Sequence, residues 1–218
     1  MRQEHDIFNA ATPPVFPAST GLVLASPLTL LYMFMDPEQW SSVFSNIVST
    51  ATTLEVLFPW EKEKPNNGAL QVMTAEFYLP SPLFRGGEVK FARMCRETGY
   101  KTWVVVDVSL ETVFPGAGAA ISSHPTRRRP SGCLIQELRI HPGVSMVTWV
   151  DNSAVHDHGT FVQNMFGSLL TSNFPFSANR WISALERYYD KIVALEGQGD
   201  NNNYNGYHFQ ALVFSTFA

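Results

Sequence analysis

Cysteine is scarce in this chain: 218 residues contain two, Cys95 and Cys133, and both fall in strand-like segments. That usage suits free thiols in a reducing compartment better than a disulfide-stapled secreted scaffold. Charge is scarce as well. Charged residues make up 16% of the chain, the net charge is −4 and the pI is about 5.8. Nucleic-acid binders present a basic face, so direct nucleic-acid contact by this chain is not expected. Long hydrophobic runs are missing too. Gly21 to Met35 is uncharged and apolar, yet it falls short of the ~18 residues a membrane span needs and is interrupted by Pro27. The closing segment, Phe209 to Ala218, is shorter still. Glu4 and Asp6 break the apolar core that a secretory signal would need at the N-terminus. The expectation is an intracellular protein without a membrane span.

The motifs of common catalysis are absent as well. There is no P-loop and no dinucleotide-binding glycine fingerprint, and the glycines near Gly116 lack a strand-turn-helix context. Ser131-Gly132 and Gly167-Ser168 lack the flanking glycines of a nucleophile elbow. On a strand, His156 and His158 would point to one side and could share a zinc ion. With no cysteine or third histidine clustered nearby, a polar loop end is the favoured reading, so neither a metal nor a cofactor is expected. Arg127-Arg128-Arg129 reads as a solvated loop rather than a localisation patch. An enzymatic reading would rest on Asp107 and the two histidines alone, and no enzyme is expected.

What is present is core. Hydrophobic residues make up 45% of the chain, and at this length a single domain buries roughly 70% of its unfolded surface. Residues 1–19, with Pro13, Pro14 and Pro17, show no period and read as an irregular arm. The domain proper spans 20–195, and 196–218, with Asn201 to Asn203, reads as a low-complexity, disordered tail. From Thr20 a short strand is expected to run into Leu28 to Met35. Asp36-Pro37 then opens a helix, with an acidic N-cap and proline at the first helical position, and Trp40, Phe44 and Ile47 form its buried face.

Val48 to Phe58 and Gly68 to Leu79 read as one hairpin around a polar loop; Glu88 to Glu97 and Tyr100 to Leu110 read as another around Thr98-Gly99. Arg127 to Asp151 reads as a third, two long strands joined at Pro142-Gly143. Side chains alternate with period two, so Leu134, Gln136, Leu138 and Ile140 share one face, and Cys133, Ile135, Glu137 and Arg139 the other. In the Tyr100 strand, Val104, Val106 and Val108 make a wholly apolar face, and Trp103, Val105, Asp107 and Ser109 make the opposite one. Asp107 is then an acid among large apolar neighbours. A buried charge needs a partner, and Arg93, Arg129 and Arg139 are the candidates. Glu111 to Thr126, rich in glycine and serine, is a long loop of the functional or disordered kind. Past a first helical piece from Thr160 to Thr171, Ser177 caps a helix in which Trp181, Leu185, Tyr188, Ile192 and Leu195 recur at spacings of four, three, four and three.

Taken in order, MDPEQW at Met35, GALQVM at Gly68, WVVVDVS at Trp103, RRRPSGCLIQ at Arg127, VTWVD at Val147 and ANRWISAL at Ala178 resemble the START lipid-binding domain. More narrowly, they are similar to that of plant class IV homeodomain-leucine zipper proteins, over roughly residues 20 to 195. The resemblance implies an α+β, helix-grip fold: a curved antiparallel sheet wrapped around a long C-terminal helix, enclosing an apolar tunnel for a sterol, phospholipid or similar lipid. On that model Trp103, Val105, Asp107, Ile135, Glu137, Val147, Trp149, Trp181 and Leu185 are the candidate tunnel lining. The Glu111–Thr126 loop and the terminal helix would form the gate. The resemblance further implies a regulatory role linked to transcription, a nuclear location (otherwise cytoplasmic), and a possible protein partner or homodimer. The family domain begins with a helix and two strands ahead of the segment matching Thr20, so this domain is expected to be N-terminally incomplete. The second reading is a regulatory or dimerisation fragment that no longer holds ligand.

Overall fold

The strand-forming segments pair into one sheet because each alternates an inward and an outward set of side chains. The computed structural model describes residues 18–59, 68–78, 88–110, 126–128, 130–151, 153–155 and 177–199. Seven strands form an antiparallel sheet: β1 (Ala18–Val23), β2 (Val48–Phe58), β3 (Ala69–Phe77), β4 (Glu88–Gly99), β5 (Thr102–Ser109), β7 (Ser131–Glu137) and β8 (Ser145–Val150). Their spatial order is β1-β8-β7-β5-β4-β3-β2, so hairpins join neighbours and only β1 returns from the start of the chain to close on β8. A second small sheet pairs β6 (Thr126–Arg128) with β9 (Ser153–Val155).

The hairpin expected from Arg127 is therefore shorter than the sequence reading. Pro130 offers no N–H to a ladder, and the chain leaves β6 there before re-entering the large sheet at Ser131. At the far end β7 stops at Glu137, and Leu138 to Val144 make the turn, with Gly143 at φ 90°, a conformation that favours glycine. Leu138 N–H donates to Val144 O at 2.9 Å, closing that turn.

Leu28 to Met35 is helical, which corrects the strand reading. Helix α1 (Pro27–Met35) starts at Ser26, whose hydroxyl accepts from Thr29 N–H, with Pro27 in the first turn. It buries Leu30, Leu31, Met33 and Phe34 on nearly all sides, so no 3.6-residue period was visible. Asp36 ends α1 and caps α2 (Pro37–Val43), accepting from Glu38 N–H at 2.9 Å and Gln39 N–H at 3.0 Å. Trp40, Phe44 and Ile47 are all buried, but α2 is shorter than the spacing predicts: only Trp40 lies on it, Phe44 is its C-cap and Ile47 falls in the turn that follows.

The last helix among the described residues, α3 (Ala178–Gly199), runs four residues beyond the expected boundary at 195. Its first half lies on β1 and β8. Gly21 permits this close approach, because a Cβ there would sit 2.4 Å from Ile182 Cγ2 and 2.2 Å from Glu186 Oε1. Glu186 accepts from Leu22 N–H at 3.2 Å, so the helix satisfies a backbone donor on the end strand of the described sheet. The Glu111–Thr126 loop up to residue 125, the Thr160–Thr171 helix, His156, His158, the first 17 residues and the tail beyond 199 lie outside the described residues.

Candidate functional site

Arg93 and Asp107 are direct partners in the β4–β5 register, on the face that turns inward. Arg93 Nε donates to Asp107 Oδ1 at 2.7 Å and Nη2 to Oδ2 at 2.8 Å, a two-point grip that matches the planar guanidinium to the carboxylate. The third nitrogen, Nη1, donates to Phe34 O at 2.8 Å at the end of α1. Beside it, Gln71 Nε2 donates to Met35 O at 3.1 Å. These two side chains supply donors to last-turn carbonyls that the helix cannot pair itself. Trp40 covers the guanidinium, with the ring centroid 4.0 Å from Cζ. Of the three arginines weighed for Asp107, the structure selects Arg93. Counting back from the Thr98-Gly99 turn was the available signal, displaced by the irregular register between Glu97 and Gly99.

Next to this pair lies a cluster of rings contributed by β8 and by α1, α2 and α3. Trp181 stacks on Trp149, with centroids 4.7 Å apart and planes 8° from parallel, and lies near-parallel to Trp40 at 6.1 Å. Phe44 meets Trp181 edge-on at 4.8 Å and Trp149 at 5.6 Å, and Phe34 tilts against Trp149 at 5.7 Å. Trp181 Nε1 donates to Asp151 Oδ2 at 2.8 Å, which pins α3 to the end of β8. Phe34, Phe44, Gln71 and Asp151 belong to this centre but were not among the sequence candidates. The WVD motif placed Asp151 two residues from Trp149; its bond to Trp181 spans 30 positions and had no local signal.

The candidate lining residues come together, with one exception. Trp103, Val105 and Asp107 from β5, Ile135 from β7, Val147 and Trp149 from β8, and Trp181 and Leu185 from α3 all point inward and are buried. The register sets Trp103, Ile135 and Val147 in one row and Val105, Cys133 and Trp149 in the next. A side chain beside a space that water can enter exposes surface to it. Ile135, Val147, Trp181 and Leu185 expose 0%, so no such space adjoins them. Along α3 this changes: Tyr188 and Ile192 are only partly buried against the core, and Leu195 is 57% exposed.

Glu137 is the exception. It sits at the sheet end, ion-paired with Lys101, on an open groove of about 490 Å³ whose wall includes Gln136 and Arg139. The hydrogen bond that Lys101 donates to the Glu137 carboxylate raises the lysine pKa, but Lys101 stands in water. The two thiols lie in one register row on either side of Val105. That puts roughly two interstrand spacings, about 9.6 Å, between their backbones, too far for a bridge. Both are free; burial pushes Cys95 up to about 11 and Cys133 further in the same direction. Among the described residues there is no group of three His, Cys, Asp or Glu that could hold a metal ion, and no helix long and apolar enough to cross a membrane.

An antiparallel sheet gripping a C-terminal helix through Trp149, Trp181 and Asp151 defines an α+β protein of the helix-grip class. The START domain family model matches residues 9–191, and the chain belongs to that family. It is 38% identical over 176 residues to homeobox-leucine zipper protein HDG3 of Arabidopsis thaliana, covering 81% of this chain and 23% of that protein. It is 34% identical over 175 residues to HDG1 of the same plant, covering 80% and 20%. The chain thus spans about a fifth to a quarter of these relatives' length. Among solved structures, the lipid transfer and protein localization domain of human StarD13 aligns with a TM-score of 0.54 at 12% identity, covering 79% of this chain and 75% of that one. That likeness speaks for the fold.

Proposed function

We propose that the chain is a non-catalytic lipid-binding module, which takes a sterol, phospholipid or similar amphiphile between the sheet and the second half of α3. The observation that carries this is the gradient along one helical stripe. Trp181 and Leu185 are sealed, Tyr188 and Ile192 are partly covered, and Leu195 stands open. The apolar stripe continues past the point where protein atoms cover it, and the ring cluster then serves as the floor of the site. Covering such a stripe with a lipid is worth roughly 25 cal/mol per Å² of apolar surface removed from water. The Arg93–Asp107 pair, engaged with α1, acts as support beneath that floor. Family membership and the resemblance to homeodomain-leucine zipper proteins support a regulatory role linked to transcription, exercised in the nucleus. Imaging a fluorescent fusion checks the location.

Native mass spectrometry of the purified chain is expected to show a bound lipid, and Ile192→Glu is expected to abolish it while leaving the circular dichroism spectrum intact. Failure of the wild type to retain or take up any sterol, phospholipid or ceramide in displacement assays would overturn the reading. A second reading, a regulatory fragment without ligand, is favoured by one observation: the complete burial of Ile135, Val147, Trp181 and Leu185. It predicts the same negative result together with intact folding.

A further inference from the structure

The open groove of about 490 Å³ at the sheet end holds polar chemistry that the lipid site along α3 does not use. Two neighbouring segments build it. The β4–β5 turn and the first residue of β5 supply Tyr100, Lys101 and Thr102; the end of β7 and the turn beyond it supply Gln136, Glu137 and Arg139. Thr102 is the ladder partner of Gln136, and Glu137 N–H donates to Lys101 O at 3.2 Å, so the two segments are tied to each other. The Thr102 hydroxyl donates to Tyr100 O at 3.1 Å, which braces the turn itself. Glycines aside, Lys101 alone among the described residues has a positive φ, 50°, in the left-handed region that glycine enters without strain. Backbone strain held in place by its surroundings gathers at binding sites, and here it falls on a cation.

We propose that this groove binds a phosphate group carried on a larger molecule. Charge is the first argument. Its walls hold two cations, Lys101 and Arg139, against one carboxylate, Glu137, in a chain whose net charge is −4. Arg139 is exposed and has no hydrogen bond or ion pair among the described residues, so its planar fork is free to take two oxygens of one anion. Donor count is the second. The Lys101 ammonium has three hydrogens and gives one to the Glu137 carboxylate, which holds the ammonium at the groove and leaves two hydrogens for a ligand. Size is the third. The volume falls in the range of small-molecule sites, roughly 300–1,000 Å³, and Tyr100, 81% exposed, offers a ring to the body that carries the phosphate. A soluble phosphate ester and a lipid headgroup share this chemistry. The proposal does not rest on the lipid site beside α3.

Two-dimensional amide NMR on the intact chain tests this, with inorganic phosphate as the probe and sodium chloride at matched ionic strength as the control. Phosphate is expected to shift the amides of Lys101, Thr102 and Arg139 along a saturable curve, and chloride is not. Arg139→Gln should weaken this binding about tenfold, as loss of a charge-assisted hydrogen bond does. Lys101→Gly should weaken it similarly while the thermal midpoint holds or rises, because glycine removes the cation and relieves the backbone together. A midpoint that falls while phosphate still binds would make the lysine structural and overturn its role. Glycerol 3-phosphate, and phosphatidylcholine vesicles with and without phosphatidic acid, separate the two sources: tighter binding of the soluble ester assigns a soluble compound, and retention on phosphatidic acid vesicles that phosphate displaces assigns a headgroup. Lipid retention in native mass spectrometry should be unchanged in both variants, so this proposal and the lipid-binding reading fail separately. No saturable shift with any of these probes, equal shifts in chloride, or binding indifferent to both substitutions would overturn the groove as a phosphate site.

Discussion

Two ion pairs in this molecule have the same chemistry and opposite surroundings. Arg93 and Asp107 meet in the interior, with side chains 2% and 4% exposed, and every guanidinium nitrogen has an acceptor. Lys101 and Glu137 meet at the sheet end, where the lysine side chain is 48% exposed. Burial makes the first pair obligatory, because removing either partner strands a charge in a medium that cannot solvate it. The second pair sits in water and salt, where the gain from contact nearly cancels the cost of ordering two long side chains. Proximity of opposite charges therefore says little about importance until burial is known.

The largest effect should come from Asp107→Ala, which leaves Arg93 buried and unpaired: a loss of about 3–5 kcal/mol in denaturant unfolding. A loss under about 1 kcal/mol would show that water reaches the pair and would erase the contrast. Next, Gly21→Ala drives a methyl group into Ile182 and Glu186 and should cost about 1–3 kcal/mol, since overpacking at a helix–strand contact has nowhere to relax. A neutral result in thermal melts would mean that α3 rides higher on β1 than these contacts indicate.

Glu186 offers a third case between the two extremes. Burial raises its carboxyl pKa above the ordinary 4.5; the Leu22 N–H opposes this, Asp190 adds to it, and Arg187 opposes it. The folded state then holds the proton more tightly than the unfolded chain, so this contribution is present at acid pH and is lost as the pH rises through the raised value. Glu186→Gln keeps an acceptor for Leu22 but has no such slope. The variant should gain on the wild type in unfolding experiments as the pH is raised from about 4 towards 7. Parallel curves would sink this assignment. The smallest effect belongs to Lys101→Ala, whose unfolding midpoint should coincide with wild type within scatter at physiological salt. A midpoint shift as large as that of Asp107→Ala would collapse the comparison.

Local chemistry made some elements legible and left others dark. Asp36-Pro37 with Trp40 located the start of α2 correctly because the cap and the first buried residue lie within one turn of each other, while Phe44 and Ile47 are buried beyond its end. The hairpins of β2–β3 and β4–β5 were legible for the same reason. Helix α1 was not, because a helix buried on nearly all sides looks like any apolar run, and only Ser26-Pro27 marked its start. The faces of β5 were separated correctly, yet nothing local says which is inward: the three valines look more like core than Trp103 with Asp107. The structure turns Asp107 inward because Arg93 and the end of α1 are there to receive it. Helix α3 and its Trp181 were legible from spacing, whereas the Trp181–Asp151 bond and the clasp of Glu186 on β1 required the assembled sheet.

The position of β1 carries a consequence for synthesis. This strand is among the first described residues to leave the ribosome, but its ladder partner β8 ends at Val150 and its other contacts, Ile182 and Glu186, come later still. Until those residues emerge, the opening strand has no place to go. Its docking is thus a late, long-range event, of the kind that makes folding slow and leaves a nascent chain dependent on protection. Synthesis must pass Glu186 before β1 can take its seat.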